Sequence, residues 1–300
     1  MEKEFHKYLK REGLSSRSVR EEDRIFRGED LISSLPEPLL CHILSFLTTE
    51  EAVWASVLSS RWRYLWKWVP RLELDSHDFT NDKTCVAFID EFLHLQGKSY
   101  LREFKLTIDQ DDELTNPEND ASLYGPCLSR VDKRKIQHFQ VETRKGRWSR
   151  SDETETPLTL SVCESLVCLK LHFVELKDSE SLSLPCLKTM YLEDVIFPSD
   201  AAAEALISSS PVLTVLKISL SKNDAVVVLR VCSQSLKSFT LKRADPVYNI
   251  RHGHAVVIDT PRLEYLSLMD HQFRDFKIIS MSDSVKVDID VEFEIIRSYS

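Results

Sequence analysis

Seven cysteines, nine histidines and forty-eight carboxylates are available for chemistry in this chain, and their spacing decides what they can do. Cys163 and Cys168 stand five apart with no matching histidine pair, which is poor spacing for zinc. His252-Gly253-His254 offers two imidazoles in a loop context, and its ordinary reading is a loop. A nucleophilic cysteine needs a cationic or otherwise activating setting to lower its pKa, and none of the seven has an evident one. None of the six glycines falls in a G-x-G-x-x-G or G-x-x-x-x-G-K pattern, so no phosphate-cradling loop is expected. A G-x-S-x-G elbow is also missing. No catalytic residue, metal or cofactor is therefore assigned. One charged cluster could bind rather than react. Arg130, Lys133, Arg134, Lys135, Arg144, Lys145, Arg147 and Arg150 face only Asp132 and Glu142 within residues 130–150. Such a cluster could hold an acidic or phosphorylated segment through charge-assisted bonds. The alternative is a solvated insertion that complements the acidic run at 109–120.

The elements that would position any site fall into two kinds. Residues 30–70 are helical in pattern. Ser34 with Glu37 reads as a capping box, and Pro36 suits a first helical turn. Leu35, Leu39, Leu40, Ile43, Leu44 and Leu47 follow at helical spacing. Thr48 with Glu51 repeats the cap before Val53, Trp54, Val57 and Leu58, and Trp62, Tyr64, Leu65, Trp66 and Trp68 crowd the tail. About forty residues are marginal as an independent fold, and this segment is apolar on more than one face, so part of it must pack on another domain or chain. The preceding residues 1–29 are charged, poor in apolar side chains and expected to be disordered.

Beyond residue 71 a template of L-x-x-L-x-L recurs, with other apolar residues allowed. It fits at Leu101-Phe104-Leu106, Ile136-Phe139-Val141, Leu166-Leu169-Leu171 and Leu187-Met190-Leu192. It fits again at Leu213-Leu216-Ile218, Leu236-Phe239-Leu241 and Leu263-Leu266-Leu268. First positions step by 35, 30, 21, 26, 23 and 27 residues, so four of the six steps have leucine-rich-repeat length and two carry insertions. Val285, Val287, Ile289 and Val291 alternate with polar residues as a terminal strand would. Each unit supplies a short strand that cannot close a core alone, so stacking into a parallel array is expected. The asparagine ladder of regular repeats is missing at most positions, with Asp194 and Asp270 in comparable places, so the convex side is expected to be irregular. An ordinary sandwich of alternating strands is the competing architecture. The expected fold class is α+β, or an α/β solenoid: a small helical domain at 30–70, then about seven to eight irregular repeats at 71–300.

Bulk properties set limits on function. The net charge of -9 lies wholly in residues 71–300, because 1–70 hold eleven basic and eleven acidic side chains. That balance argues against nucleic acid as a partner. No apolar run reaches the eighteen residues of a membrane span, and the first residues lack the apolar core of a secretory signal. An odd number of cysteines without close pairing fits a reducing compartment, cytoplasm or nucleus.

The strings LPEPLLCHILSFL and AVWASVLSSRWRYLW closely resemble the F-box of plant proteins that also carry leucine-rich repeats and often an FBD module. SLPCLKTMYLEDVIF at 183–197 and IDTPRLEYLSLMD at 258–270 resemble the repeats of the same F-box/FBD/LRR group. The group commonly continues into an FBD module of about a hundred residues; this sequence stops at Ser300, so the module is expected either to be absent or to lie beyond the given sequence. The resemblance implies the substrate-recognition subunit of a Skp–cullin–F-box ubiquitin ligase, itself not an enzyme. A Skp-type adaptor, and through it a cullin–RING complex, would be its partners, together with an unknown protein target. Adaptor-binding positions carried over from the family are Leu35, Pro36, Leu39, Leu40, Ile43, Leu44, Leu47, Val53, Val57, Leu58, Trp62 and Trp66. Departures are Thr48 where proline is usual, Glu50 where lysine is frequent, and Trp54 where a small residue is usual. Trp54 must find a pocket or widen one. The target face is expected at the x positions of the L-x-L strands, which alternate away from buried leucines: Lys105, Lys170, Tyr191, Lys217, Thr240 and Ser267. The competing reading is a repeat scaffold with a degenerate F-box and no ligase role.

Overall fold

The computed structural model describes residues 32, 34–95, 101–110, 121–131, 135–145, 156–179, 181–220, 225–243, 254–269 and 273–290. The expected tail at 1–29, most of the acidic run at 109–120, and His252, Asp270 and Val291 lie outside the described residues. Two compact units emerge: residues up to Val69 with Ala87–Ser99, and Pro70–Val86 with Tyr100 onward. The boundary expected at 70/71 is thus crossed back once, because the helix Asp82–Leu95 gives its second half to the helical unit.

In the helical unit the first helix is Glu37–Leu44. The expected Ser34–Glu37 capping box does not form. The N-cap is Pro36 in an extended conformation with no side-chain cap bond, and Glu37 is the first helical residue. Pro36 stands as the N-cap with extended ψ, which leaves Ser34 and Leu35 outside the helix and Glu37 at its first position rather than its third. The second box does form. Thr48 Oγ1 accepts from the Glu51 N–H at 3.2 Å, and the Glu51 carboxylate accepts from the Thr48 N–H at 2.8 Å. That helix, Thr49–Trp54, is short and tightens into a 3-10 turn at Ala55–Val57. A further 3-10 turn, Leu65–Trp68, packs against the first helix. The Trp66 ring stacks on Phe92 with centroids 5.8 Å apart, and Phe92 stacks in turn on Phe88.

The strand unit contains β1 Arg71–Asp75, β2 Glu103–Gln110, β3 His138–Lys145, β4 Thr156–Leu158, β5 Cys168–His172, β6 Val174–Leu176 and β7 Thr189–Val195. It continues with β8 Val215–Leu220, β9 Val228–Cys232, β10 Ser238–Arg243, β11 His254–Thr260, β12 Tyr265–Met269, β13 Phe273–Met281 and β14 Lys286–Asp290. The main sheet has nine strands in the order β1-β2-β3-β5-β7-β8-β10-β12-β14. Every pairing in it is parallel. All twenty-one apolar residues of the repeat template are buried, so the array replaces the sandwich alternative.

Each turn into a strand is also bonded to its neighbour. Gln137 donates to Arg102 O at 2.7 Å, Val167 to Gln137 O at 2.8 Å, Lys188 to Val167 O and Thr214 to Lys188 O at 2.9 Å. Lys237 and Glu264 continue the ladder, and Lys286 closes it on Glu264 O.

The other side of the core is irregular, as expected. It holds the sheet β13-β11-β9, the pair β4-β6, and the helices Tyr124–Arg130 and Asp200–Ser208, which pack on β4 and β9 respectively. Phe173, just after β5, and Asp194, at the register shift near the end of β7, both take left-handed backbone, φ 49° and 51°, each one residue beyond the paired His172 and Glu193. Aspartate tolerates that region and phenylalanine does so only under strain.

Candidate protein-interaction surfaces

The structure divides the adaptor-contact positions in two. Leu40, Leu44, Val53, Trp62 and Trp66 are buried, so these five build the core of the helical unit and are withdrawn from the contact set. The physical reason is helical geometry. Leu40 and Leu44 share one face, i and i+4, and that face turns inward. Leu39 and Ile43 share the next face and remain exposed, Leu39 by 49%. Phe46, 73% exposed, follows them at i+7 and was missed by the sequence reading. Its signal was available, since it lies three residues after Ile43. Pro36, Val57 and Leu58 are exposed, while Leu35 and Leu47 are half-buried. The Arg61 guanidinium donates a hydrogen bond to the Leu35 carbonyl, tying the Leu-Pro opening to the Ser-Arg-Trp-Arg step. Trp54 finds no deep pocket: its side chain sits at the surface. Tyr64 and Trp68 are exposed as well, and the Lys67 ammonium lies 4.9 Å from the Tyr64 ring centroid. An apolar surface of this kind on a small unit is characteristic of a docking face.

The target-face positions align in one row. Strand register sets Glu73, Lys105, Gln140, Lys170, Tyr191, Lys217, Thr240, Ser267 and Asp288 side by side across the main sheet. Lys105, Lys170, Tyr191 and Lys217 are exposed or half-buried. Thr240 and Ser267 are not: they are 7% and 1% exposed, so they leave the candidate face. Alternation predicts which side of the sheet a residue faces, and it says nothing of what covers that side. Lys105 is neutralised by Glu73 in an ion pair. Lys170 and Lys217 flank Tyr191 from both sides, with ammonium nitrogens 5.6 and 5.1 Å from its ring centroid. Among the described residues neither has a carboxylate partner.

The basic cluster at 130–150 is only partly described. Within it Arg144 is paired, 2.9 Å from Asp75 and 3.9 Å from Glu142, and His172 Nδ1 also lies 3.9 Å from Glu142. Arg130 and Lys135 are exposed. Lys133, Arg134, Arg147 and Arg150 lie outside the described residues.

No group of three metal-ligating side chains occurs among the described residues. The most perturbed titratable cluster is interior. The Tyr124 hydroxyl donates to Asp82 Oδ1 at 2.6 Å beside Cys85 and Cys127. Burial pushes the Tyr124 hydroxyl up, and burial pushes the Cys85 thiol up to about 12. Both groups stay protonated at neutral pH, which suits packing and does not suit a nucleophile. A consequence is measurable. The unfolded thiol ionises near 9.0 while the folded one holds its proton to about 12. The thiol's contribution is therefore intact below pH 9 and lost as pH rises toward 12, by about 1.4 kcal/mol per pH unit. Urea unfolding across that range is expected to show the fall, and Cys85→Ala is expected to remove the Cys85 share of it, leaving the part above pH 10 that the buried Tyr124 hydroxyl contributes.

Comparison with known proteins accords with this geometry. A family model for the F-box domain matches residues 32–74. A second, for the leucine-rich repeats of FBD-associated F-box protein At5g56370, matches residues 127–288, more than half of the chain. Similar relatives, all from Arabidopsis thaliana, include F-box/FBD/LRR-repeat protein At5g18770, 65% identical over 276 residues that cover 91% of this chain and 56% of that protein. FBD-associated F-box protein At5g18780 is 57% identical over 90% of this chain and 59% of its own length. F-box/LRR-repeat protein 13 is 42% identical over 89% of this chain and 57% of its own length. The chain thus spans well under two thirds of the relatives it matches, and no solved structure matches it. An F-box match over the helical unit, a repeat match over the parallel array and relatives that carry both lead to one family: the chain belongs to the plant F-box/leucine-rich-repeat proteins of the F-box/FBD/LRR group.

Proposed function

We propose that the chain is the substrate-recognition subunit of a Skp–cullin–F-box ubiquitin ligase. Its helical unit docks on a Skp-type adaptor, and its parallel strand face holds a protein target. Catalysis is left to other subunits. The chain contributes proximity, raising the effective concentration of target lysines beside the charged ubiquitin carrier. The observation that supports this reading best is the exposed apolar run Leu39, Ile43, Phe46, Val57 and Leu58 above a complete core. A unit that has already buried Leu40, Leu44, Trp62 and Trp66 still presents large apolar side chains to water. A reducing compartment, cytoplasm or nucleus, fits seven cysteines none of which forms a disulfide.

Capture of a purified plant Skp-type adaptor by the full chain tests the docking half. Absence of capture would favour the scaffold reading. The target half predicts a separable loss. Alanine at Lys170, Tyr191 and Lys217 together is expected to reduce capture of ubiquitylated targets at least tenfold while adaptor capture is unchanged. Quantitative proteomics on adaptor-bound complexes reads both numbers from one sample.

A further inference from the structure

Cations on the face of the main sheet that carries the row are treated in two ways. Near β1 they are neutralised: Arg71 and Lys105 pair with Glu73, and Arg144 with Asp75. Lys170 on β5 and Lys217 on β8 instead lie over the Tyr191 ring between them. The register shows what surrounds the pair. One step back along the strands, the neighbours on the same face are Cys168, Thr189 and Val215. On the flanking strands they are Gln140 and Thr240 in the row, with His138 and Ser238 beside it. None of these is acidic, in a chain whose net charge is -9. One step forward, the Glu142 carboxylate is already shared by Arg144 and His172. Glu193 follows Tyr191 on β7, exposed, and pairs with neither lysine.

Two ammonium groups gathered around one ring make a site for a dianion. Each carries three donors on a flexible stem. A ring face holds an exposed cation only weakly, whereas a charge-assisted bond to phosphate is strong. Both lysines can therefore leave the ring for an anion without breaking an ion pair. A single carboxylate would neutralise one of them and leave the other. A phosphorylated side chain carries about two negative charges and three acceptor oxygens at neutral pH, and so answers both. The row lies on the face of a sheet, where a short phosphorylated side chain reaches both ammonium groups from a segment laid across the strands.

We infer that Lys170 and Lys217, spaced by Tyr191, form a phosphate clamp, and that its occupant is a phosphorylated serine or threonine in an extended segment of the protein target. The inference deepens the target-holding half of the proposed function and rests on that reading for the target. The adaptor-docking face has no part in it.

Fluorescence polarisation with the full chain measures it. The probes are two degenerate peptide libraries, one centred on phosphoserine and one on serine. Wild type is expected to bind the phosphoserine library at least about tenfold more tightly, the gain from one charge-assisted bond. Lys170→Ala and Lys217→Ala are each expected to lose most of that preference, and the double variant all of it. Tyr191→Phe keeps the ring face and is expected to keep the preference. Tyr191→Leu removes the ring, spares both charges and is expected to weaken it. Lys188→Ala removes another exposed lysine, outside the row, and is expected to change nothing. Circular dichroism checks that each variant is folded. Equal binding of the two libraries by wild type overturns the proposal. So does a loss in Lys188→Ala as large as in Lys170→Ala, which would make the preference one of diffuse charge. Adaptor capture is measured on the same preparations. Capture without phosphoserine preference removes the clamp and leaves the ligase reading standing; preference without capture keeps the clamp and removes the ligase reading.

Discussion

Lysine at both Leu39 and Ile43 is expected to abolish capture of the adaptor while leaving the helical unit folded. These two side chains share an exposed face of the helix Glu37–Leu44, and their neighbours Leu40 and Leu44 fill the interior. Charges placed at exposed positions cost the fold little, because the new ammonium groups remain in water. In a docked state the same groups would be stripped of water against an apolar surface with no partner. Hot-spot truncations cost upward of about 2 kcal/mol each, so the double variant is expected to lose roughly a thousandfold in affinity. Calorimetric or interferometric binding to the purified adaptor gives the affinity, and a thermal melt gives the stability. Undiminished binding by a folded double variant would remove this helix face from the interface. Alanine at Leu35 and Pro36 is a weaker test of the same surface. Leu35 is only half exposed, and its carbonyl, which accepts from Arg61, is untouched by a side-chain change.

Much of the architecture was legible because the repeat writes the same physical requirement many times. A leucine two residues from another leucine puts both on one face of a strand, the similar interval between copies favours stacking those strands in parallel, and all twenty-one residues of the seven copies are buried. The template also fits Val69-Leu72-Leu74, where β1 begins the sheet; that copy was overlooked because it abuts the tryptophan-rich tail. The helix Asp82–Leu95 was overlooked for a different reason. Its inward residues Cys85, Ile89 and Phe92 recur at helical spacing, a period that the strand template does not contain. What the sequence could not show was the partition of a crowded helix between core and contact. Leu39 and Leu40 are chemically identical, and only the rotation of the helix against the Leu65–Trp68 turn makes one a surface and the other a core residue. The same limit explains Thr240 and Ser267. Alternation placed them correctly in the row with Lys170 and Tyr191, and their burial depends on covering groups that a strand pattern does not encode.

Trp66→Ala is expected to unfold the helical unit outright. The indole is 7% exposed and stacks on Phe92 at an interplanar angle of 30°, and its Nε1–H donates to the Arg63 carbonyl at 3.2 Å. Removing a buried tryptophan costs about 3–5 kcal/mol through lost transfer energy and an unfilled cavity. Whole domains are stable by only about 5–15 kcal/mol, and a small helical unit lies at the low end of that range. Adaptor capture is therefore lost with the structure, in contrast to the lysine double variant, which loses capture and keeps its fold. Hydrogen exchange separates the two cases residue by residue. In Trp66→Ala the amides of Glu37–Leu44 and Thr49–Trp54 are expected to exchange at near-unfolded rates, while those of β5, β7, β8 and β10 keep their protection. Trp66→Phe restores an aromatic partner for Phe92 without the indole N–H, and is expected to recover most of the loss. Full protection of the two helices in the alanine variant would mean that the tryptophan-rich tail is dispensable, and that Leu40 and Leu44 bury themselves against something else.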